Sequence, residues 1–166
     1  GAKTSFVYSA GDGVHDFTLD PSIGEFVLAQ EQMSVPQRGS ILSVNEGNWP
    51  YWDQKTRDFV MSFKQEDSER GLPYTGRYVG SLVADFDRTL RRGGIFLYPR
   101  STKHPNGRLR LLYETIPLAF VMEQAGGRAV DGDLPVLSVM PESIHQRSGF
   151  ICGGVDDVED YLRSIR

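Results

Sequence analysis

The order of apolar and polar positions divides the chain into short elements. Thr4 to Ser9 is rich in β-formers, Val14 to Leu19 alternates after a Gly-Asp-Gly turn, and Glu25 to Ala29 follows a second turn at Asp20 to Gly24, which predicts an antiparallel meander. No helical pattern lies beside these strands to cover them, so they are expected to belong to a sheet completed by residues outside this chain. Gln30 to Gly39, with Pro36 and Gly39, reads as a connector. Ile41 to Val44 is a short strand that runs into the polar tip Asn45-Glu46-Gly47. Asp53 can cap a helix reaching about Gln65, with Phe59, Val60 and Phe63 on its apolar side. A second helix from about Ser81 to Arg92 buries Leu82, Val83, Phe86 and Leu90, stops at Gly93-Gly94, and is followed by a buried strand at Ile95 to Tyr98.

The stretch Asn106 to Gly127 carries most of the candidate chemistry. Asn106-Gly107 is a turn dipeptide, because both residues tolerate positive φ. Arg108 and Arg110 then fall on alternate positions, so an extended segment aims both guanidinium forks at one side, an arrangement suited to an anion. Pro117 fits only near a helix start, and Leu118, Val121, Met122 and Ala125 recur at helical spacing until Gly126-Gly127. Glu114 is thereby expected at a helix N-terminus, either as a carboxylate complementing the helix dipole or as a metal ligand beside a phosphate site. Short strands follow at Arg128 to Val130, Val136 to Val139 and Phe150 to Cys152, and a last helix at roughly Asp156 to Ile165. The recurring order of strand, helix and strand predicts an α/β (α+β layered) fold, a mixed sheet flanked by helices.

Composition narrows the function classes. The chain has 166 residues, 39% hydrophobic, and a formal charge of −4, which fits one ordinary domain and gives no support to a nucleic-acid surface. No apolar run is long enough to span a bilayer, which gives no support to a membrane partner, and no signal pattern opens the chain. A single cysteine, Cys152, excludes an internal disulfide and reads as a small buried residue. Trp49, Tyr51 and Trp52 read as packing, and His15, His104 and His145 are scattered without metal spacing. No phosphate-binding glycine loop and no nucleophile elbow occurs. Beyond strand ends or at helix starts lie Asn45, Arg77, Tyr78, Tyr98, Lys103, Arg108, Arg110 and Tyr113. That mixture suits a phosphorylated polyol, since the cations meet phosphate charge while amides and phenols bind neutral oxygens.

These residues lie in ordered motifs: VNEGN (44–48), PYTGRYVGSLVADF (73–86), GGIFLYP (93–99), HPNGRLRLLYE (104–114), EQAGG (123–127) and IHQR (144–147), after an opening with YSAGDGVHDFTLDPSIGEF. Together they closely resemble the C-terminal half of class I fructose-1,6-bisphosphatase, over nearly the whole chain. The resemblance implies a sugar-phosphatase fold: residues 1–30 as terminal strands of the N-terminal domain's sheet, 31–40 as a connector, and 41–166 as the substrate-binding domain. It implies that Asn45, Tyr78, Tyr98 and Arg108 contact the 6-phosphate and sugar of fructose 1,6-bisphosphate, with Lys103 nearby. Arg77 resembles the arginine lent across a subunit interface to a neighbour's 6-phosphate, Arg110 would lie toward the 1-phosphate, and Tyr113 would pack near the sugar or the effector path. Glu114 matches a carboxylate that helps hold catalytic divalent metals.

Two positions depart from the family pattern: Asn48 stands where some members have Tyr, and Arg108 where most have Lys. The acidic metal motif of the Asp-Pro-Leu-Asp-Gly-Ser type and the other metal carboxylates are absent from these residues. The expected Mg2+ site is therefore incomplete here, and the chain alone is expected to be inactive. The resemblance implies a parent enzyme that converts fructose 1,6-bisphosphate to fructose 6-phosphate and phosphate, as a homo-oligomer (a tetramer in the family), in the cytoplasm or chloroplast. The alternatives are a non-catalytic phosphosugar-binding or oligomerisation module and a sedoheptulose or dual-specificity bisphosphatase. The chain taken alone is expected to self-associate through apolar surface of its first strands.

Overall fold

The structure is a computed structural model describing residues 3–166. Alternation within the strands builds its main layer. Strands β1 (Ser5–Tyr8), β2 (His15–Asp20) and β3 (Glu25–Gln30) form an antiparallel meander. A separate six-stranded sheet contains β4 (Ile41–Val44), β5 (Thr75–Gly76), β6 (Ile95–Tyr98), β8 (Arg128–Asp131), β9 (Leu134–Pro135) and β11 (Phe150–Gly153). Its order is β5-β4-β6-β11-β8-β9, with β4 parallel to β5 and β6, and β11 antiparallel to both of its neighbours. The small strands β7 (Leu109–Arg110) and β10 (Arg147–Ser148) pair beside it.

Period-two alternation sorts the sheet's side chains to two cores. Leu42, Val44, Ile95, Leu97, Val130 and Ile151 pack with Phe59 and Val60 of helix α1 (Gln54–Ser62) and Val158 and Leu162 of helix α4 (Val155–Ile165). Phe96, Ala129, Phe150 and Cys152 face the other way, onto Phe86 and Leu90 of α2 (Leu82–Arg92) and Ala119 and Met122 of α3 (Ile116–Gln124). The result is a mixed sheet between two helix layers. Fully burying rings such as Phe63, Phe96 and Phe150 contributes roughly 1.5–3 kcal/mol each. The Asp53 carboxylate caps α1 as its position predicts, accepting from the Thr56 N–H at 2.7 Å. At the start of β6 the backbone passes so near β4 that a Cβ on Gly94 would lie 2.1 Å from the Ile41 carbonyl oxygen, at a φ of +86°.

Two expectations fail locally: Val83, predicted on the buried side of α2, is 68% exposed, and one predicted strand is absent. Val136 to Val139 is not a strand: Val136–Ser138 is a 3-10 turn, with Val136 buried and the Ser138 hydroxyl donating to the Pro135 carbonyl at 2.7 Å. A short apolar run looks the same in either conformation, and here the local side-chain bond selects the turn. The two-residue strands β5 and β9 are too short to show a periodicity at all.

The meander presents one apolar face, where Phe6 lies 6.1 Å from Phe17 and 5.7 Å from Phe26, and Phe6, Phe26 and Leu28 are each more than two-fifths exposed. The other face was expected to lack a helix, yet α2 reaches it. Arg91 donates to both oxygens of the buried Asp16 at 2.8 and 3.0 Å, with Lys3 at 3.2 Å, and Val7 packs against the core. The Arg91 bonds, opposed by burial and aided by Lys3, hold the Asp16 carboxyl below its ordinary value. A carboxyl lowered by folding stabilises at pH above its unfolded value, about 3.9, and that contribution disappears as pH falls through the folded value. Hydrogen-exchange protection of β1 to β3 is therefore expected to drop below about pH 4 before that of β6 and β11. Simultaneous loss in both sheets would refute this assignment.

Candidate functional site

Parallel strands β4 and β6 end side by side, and the residues just past their carboxyl ends line one cleft. Asn45, Asn48 and Trp52 come from the segment after β4. Tyr98, the last residue of β6, and Ser101, Lys103, His104 and Arg108 from the loop that follows complete it. Ligand contacts commonly gather outside the carboxyl ends of such strands. The lining has two full cations, several neutral donors and no carboxylate. The nearest acid in sequence, Glu46, turns away to pair with Lys64.

Tyr78 belongs to the same group. Burial chiefly raises its phenol above the ordinary value, helped by Tyr98 and the Asp85 charge, while the Asn45 amide and the Arg108 guanidinium act in the opposite direction. The structure thus brings Asn45, Tyr98, Lys103 and Arg108 together in one cleft, with Tyr78 just outside its lining. Lys103 also stands over the Tyr51 ring, with its ammonium 5.3 Å from the centroid.

Local devices hold these residues. The Asn45 carboxamide oxygen accepts from the Gly47 N–H at 3.1 Å and starts the 3-10 turn Glu46–Tyr51. The loop after β6 is tied at its base by Arg100, whose guanidinium donates to both oxygens of the buried Asp131 at 2.9 and 2.8 Å. Neither residue of that pair stands out in the sequence, because only the β6–β8 geometry brings them together.

The remaining predicted residues fall elsewhere. Arg108 and Arg110 do not share a face of one cleft: β7 pairs with β10, and the Arg110 guanidinium reaches the His145 carbonyl at 3.5 Å. Tyr113 is half-exposed, its hydroxyl 2.9 Å from Nδ1 of His145. Glu114 lies in a single π-helical turn, Leu111–Thr115, that runs into α3, and its Oε2 accepts from the Arg110 N–H at 2.5 Å. Arg110, Tyr113 and Glu114 therefore form a second polar group, joined to the cleft through β7. The Arg77 side chain is exposed, lies outside the cleft lining, and has no hydrogen-bonding partner among the described residues.

Asn48, Trp52, Ser101 and His104 line the cleft without having been singled out as ligands. Their available signal was position, since Asn48 and Ser101 sit within four residues of a strand end and Trp52 and His104 lie in the segments that follow. Among the described residues no three His, Cys, Asp or Glu side chains gather to hold a metal ion, and no helix is long and apolar enough to cross a membrane. Magnesium is commonly held by one or two carboxylates together with waters and substrate phosphate, so Glu114 can supply at most one of its protein ligands.

Comparison with known proteins decides the family. The family model for the fructose-1,6-bisphosphatase C-terminal domain matches residues 35–165. The chain belongs to the fructose-1,6-bisphosphatase family. It is 54% identical over 162 residues to a class 1 fructose-1,6-bisphosphatase of Nitratidesulfovibrio vulgaris, covering 96% of this chain and 48% of that protein. Crystal structures of Leishmania major fructose-1,6-bisphosphatase, in holo and apo forms, superpose with a TM-score of 0.94 at 40% identity, over 99% of this chain and 50% and 52% of theirs. The chain thus spans about half the length of the fructose-1,6-bisphosphatases it matches.

Proposed function

We propose that this chain is the sugar-phosphate-binding part of an enzyme that hydrolyses fructose 1,6-bisphosphate to fructose 6-phosphate and phosphate. The observation that carries the reading is the acid-free cleft at the ends of β4 and β6, where Asn45, Tyr98, Lys103 and Arg108 converge, with Tyr78 beside them, in a chain of this family. Arg108 and Lys103 meet the 6-phosphate charge, and the Asn45 amide with the two phenols takes the neutral oxygens of phosphate and sugar. Arg77, exposed and outside the lining of its own cleft, serves the cleft of a second copy in a homo-oligomer, a tetramer on the family pattern. Arg110 lies toward the 1-phosphate, with Tyr113 beside the sugar. Glu114 contributes one ligand of a magnesium site whose other carboxylates come from outside these 166 residues. The meander (1–30) joins a sheet of the N-terminal domain, 31–40 connects, and 41–166 binds substrate. A soluble enzyme of gluconeogenesis in the cytoplasm fits this chemistry.

The test is phosphate release from fructose 1,6-bisphosphate with excess magnesium, using the whole protein beside the 166-residue chain. Activity is expected in the whole protein alone. Turnover by the short chain would overturn the assignment of the metal carboxylates. Silence in both, with fructose 6-phosphate still bound, would move the reading to a non-catalytic sugar-phosphate module.

A further inference from the structure

Helix α2 carries its apolar stripe on Leu82, Phe86 and Leu90, and a carboxylate falls on that stripe: Asp85 is 0% exposed. A buried carboxylate is costly unless donors surround it, and this one collects them from two distant segments. The Val79 N–H lies 3.0 and 3.2 Å from its two oxygens and the Gly80 N–H 2.9 Å from Oδ2, both in the loop just before α2. The Ser43 hydroxyl donates to Oδ1 at 3.1 Å from the middle of β4. Arg88, one turn along the helix, places its Nη2 within 2.5 Å of Oδ1, 2.9 Å of the Ser43 hydroxyl oxygen and 2.8 Å of the Arg77 carbonyl oxygen, and shares its two N–H groups among them.

We infer that Asp85 is a positioning residue for the cleft. Val79 follows Tyr78 directly, and Ser43, on β4, stands two residues before Asn45, which follows the end of that strand. One carboxylate therefore fixes the backbone that presents the Tyr78 phenol against the strand that presents the Asn45 amide. Through Arg88 the same clamp holds the carbonyl of the exposed Arg77. A helix-capping role alone does not account for this arrangement: the N-cap, Ser81, makes no side-chain cap bond, and the Ser43 contact joins residues 42 apart in sequence. Burial favours the neutral acid, but the donors of Val79, Arg88, Gly80 and Ser43 outweigh it and keep the carboxyl below its ordinary value, so the clamp is charged at neutral pH.

This inference rests on the proposal that the cleft binds a sugar phosphate, and the test separates the two. In the whole protein, Asp85→Asn keeps the side-chain size but replaces one acceptor oxygen with a donor that faces other donors. The expected result is a rise of about tenfold or more in KM for fructose 1,6-bisphosphate and in Kd for fructose 6-phosphate, with kcat falling less than about threefold. Ser43→Ala, which removes one tether and leaves the charge in place, is expected to raise both constants by roughly threefold. A merely structural role gives a different signature: kcat falls with the folded fraction while KM and Kd stay put, and that result overturns the inference. If Asp85→Asn does not fold, Ser43→Ala decides, and unchanged KM and Kd in that variant overturn it. If the unaltered protein turns over no fructose 1,6-bisphosphate, inorganic phosphate binding is compared instead. Weaker phosphate binding with faster exchange of the Val79 and Gly80 amides in the variants then supports the positioning role although the enzymatic reading has failed. Equal binding and exchange refute it.

Discussion

Replacing Arg108 with Ala raises the KM of the whole protein for fructose 1,6-bisphosphate, and the Kd for fructose 6-phosphate, by about 10- to 150-fold. A charge-assisted hydrogen bond contributes roughly 1.5–3 kcal/mol, and each 1.4 kcal/mol is a factor of ten in affinity. The cleft has no carboxylate to be released when the cation is removed, so no compensating gain is expected. The loss should shrink at high salt, because part of it is screened charge attraction. Arg108→Lys keeps the charge but replaces a planar fork with a point donor, and should cost less than about tenfold. Equal KM values for the Ala variant and the unaltered enzyme would remove Arg108 from the phosphate site.

Gly107→Ala is expected to be the most damaging single change near the cleft. The backbone there has φ of +80°, and an added Cβ would lie 1.9 Å from the carbonyl carbon and 2.0 Å from the carbonyl oxygen of Ser148. A positive φ alone costs an alanine roughly 1–2 kcal/mol, and backbone atoms cannot yield as a flexible side-chain tip would. The combined destabilisation should reach about 3 kcal/mol or more, with a fall in thermal midpoint readable by calorimetry. The relief available is movement of the segment 106–108 away from Ser148, which carries Arg108 out of place. A stable variant with unchanged sugar-phosphate affinity would show that this close approach does not hold the loop.

The layers of the fold are written plainly in the sequence because they rest on local patterns. The helix cap at Asp53, the glycine pair at 93–94 that ends α2, and the apolar runs at Ile41–Val44 and Ile95–Tyr98 each depend on neighbours within a turn or a strand. Val136 to Val139 misleads for the same reason: three apolar residues and a serine carry no clear phase, and the choice between strand and turn is made by a hydroxyl bond. At the site, Asn45, Tyr78, Tyr98 and Arg108 are legible as polar groups beyond strand ends. Their convergence is tertiary and cannot be read from spacing. Arg108 and Arg110 do not make one two-fork face, because Arg108 lines the cleft while the Arg110 guanidinium reaches the His145 carbonyl. Asp85 left a usable trace, a carboxylate on the apolar stripe of α2, whereas Asp131 and Arg100 left none.

The position of β11 has a consequence for how the protein is made. It lies in the interior of the sheet, hydrogen-bonded to β6 on one side and β8 on the other, although it is the last strand in the chain. During synthesis β6 and β8 leave the ribosome with open edges, and the strand that closes both arrives only with Phe150–Gly153. Until then Ile95, Phe96 and Leu97 sit on an unpaired edge able to template pairing with another nascent chain. A ribosome that stalls before Phe150 would leave a polypeptide holding nearly every cleft residue and no closed sheet to mount them on, a substrate for chaperones and proteases rather than a smaller working domain.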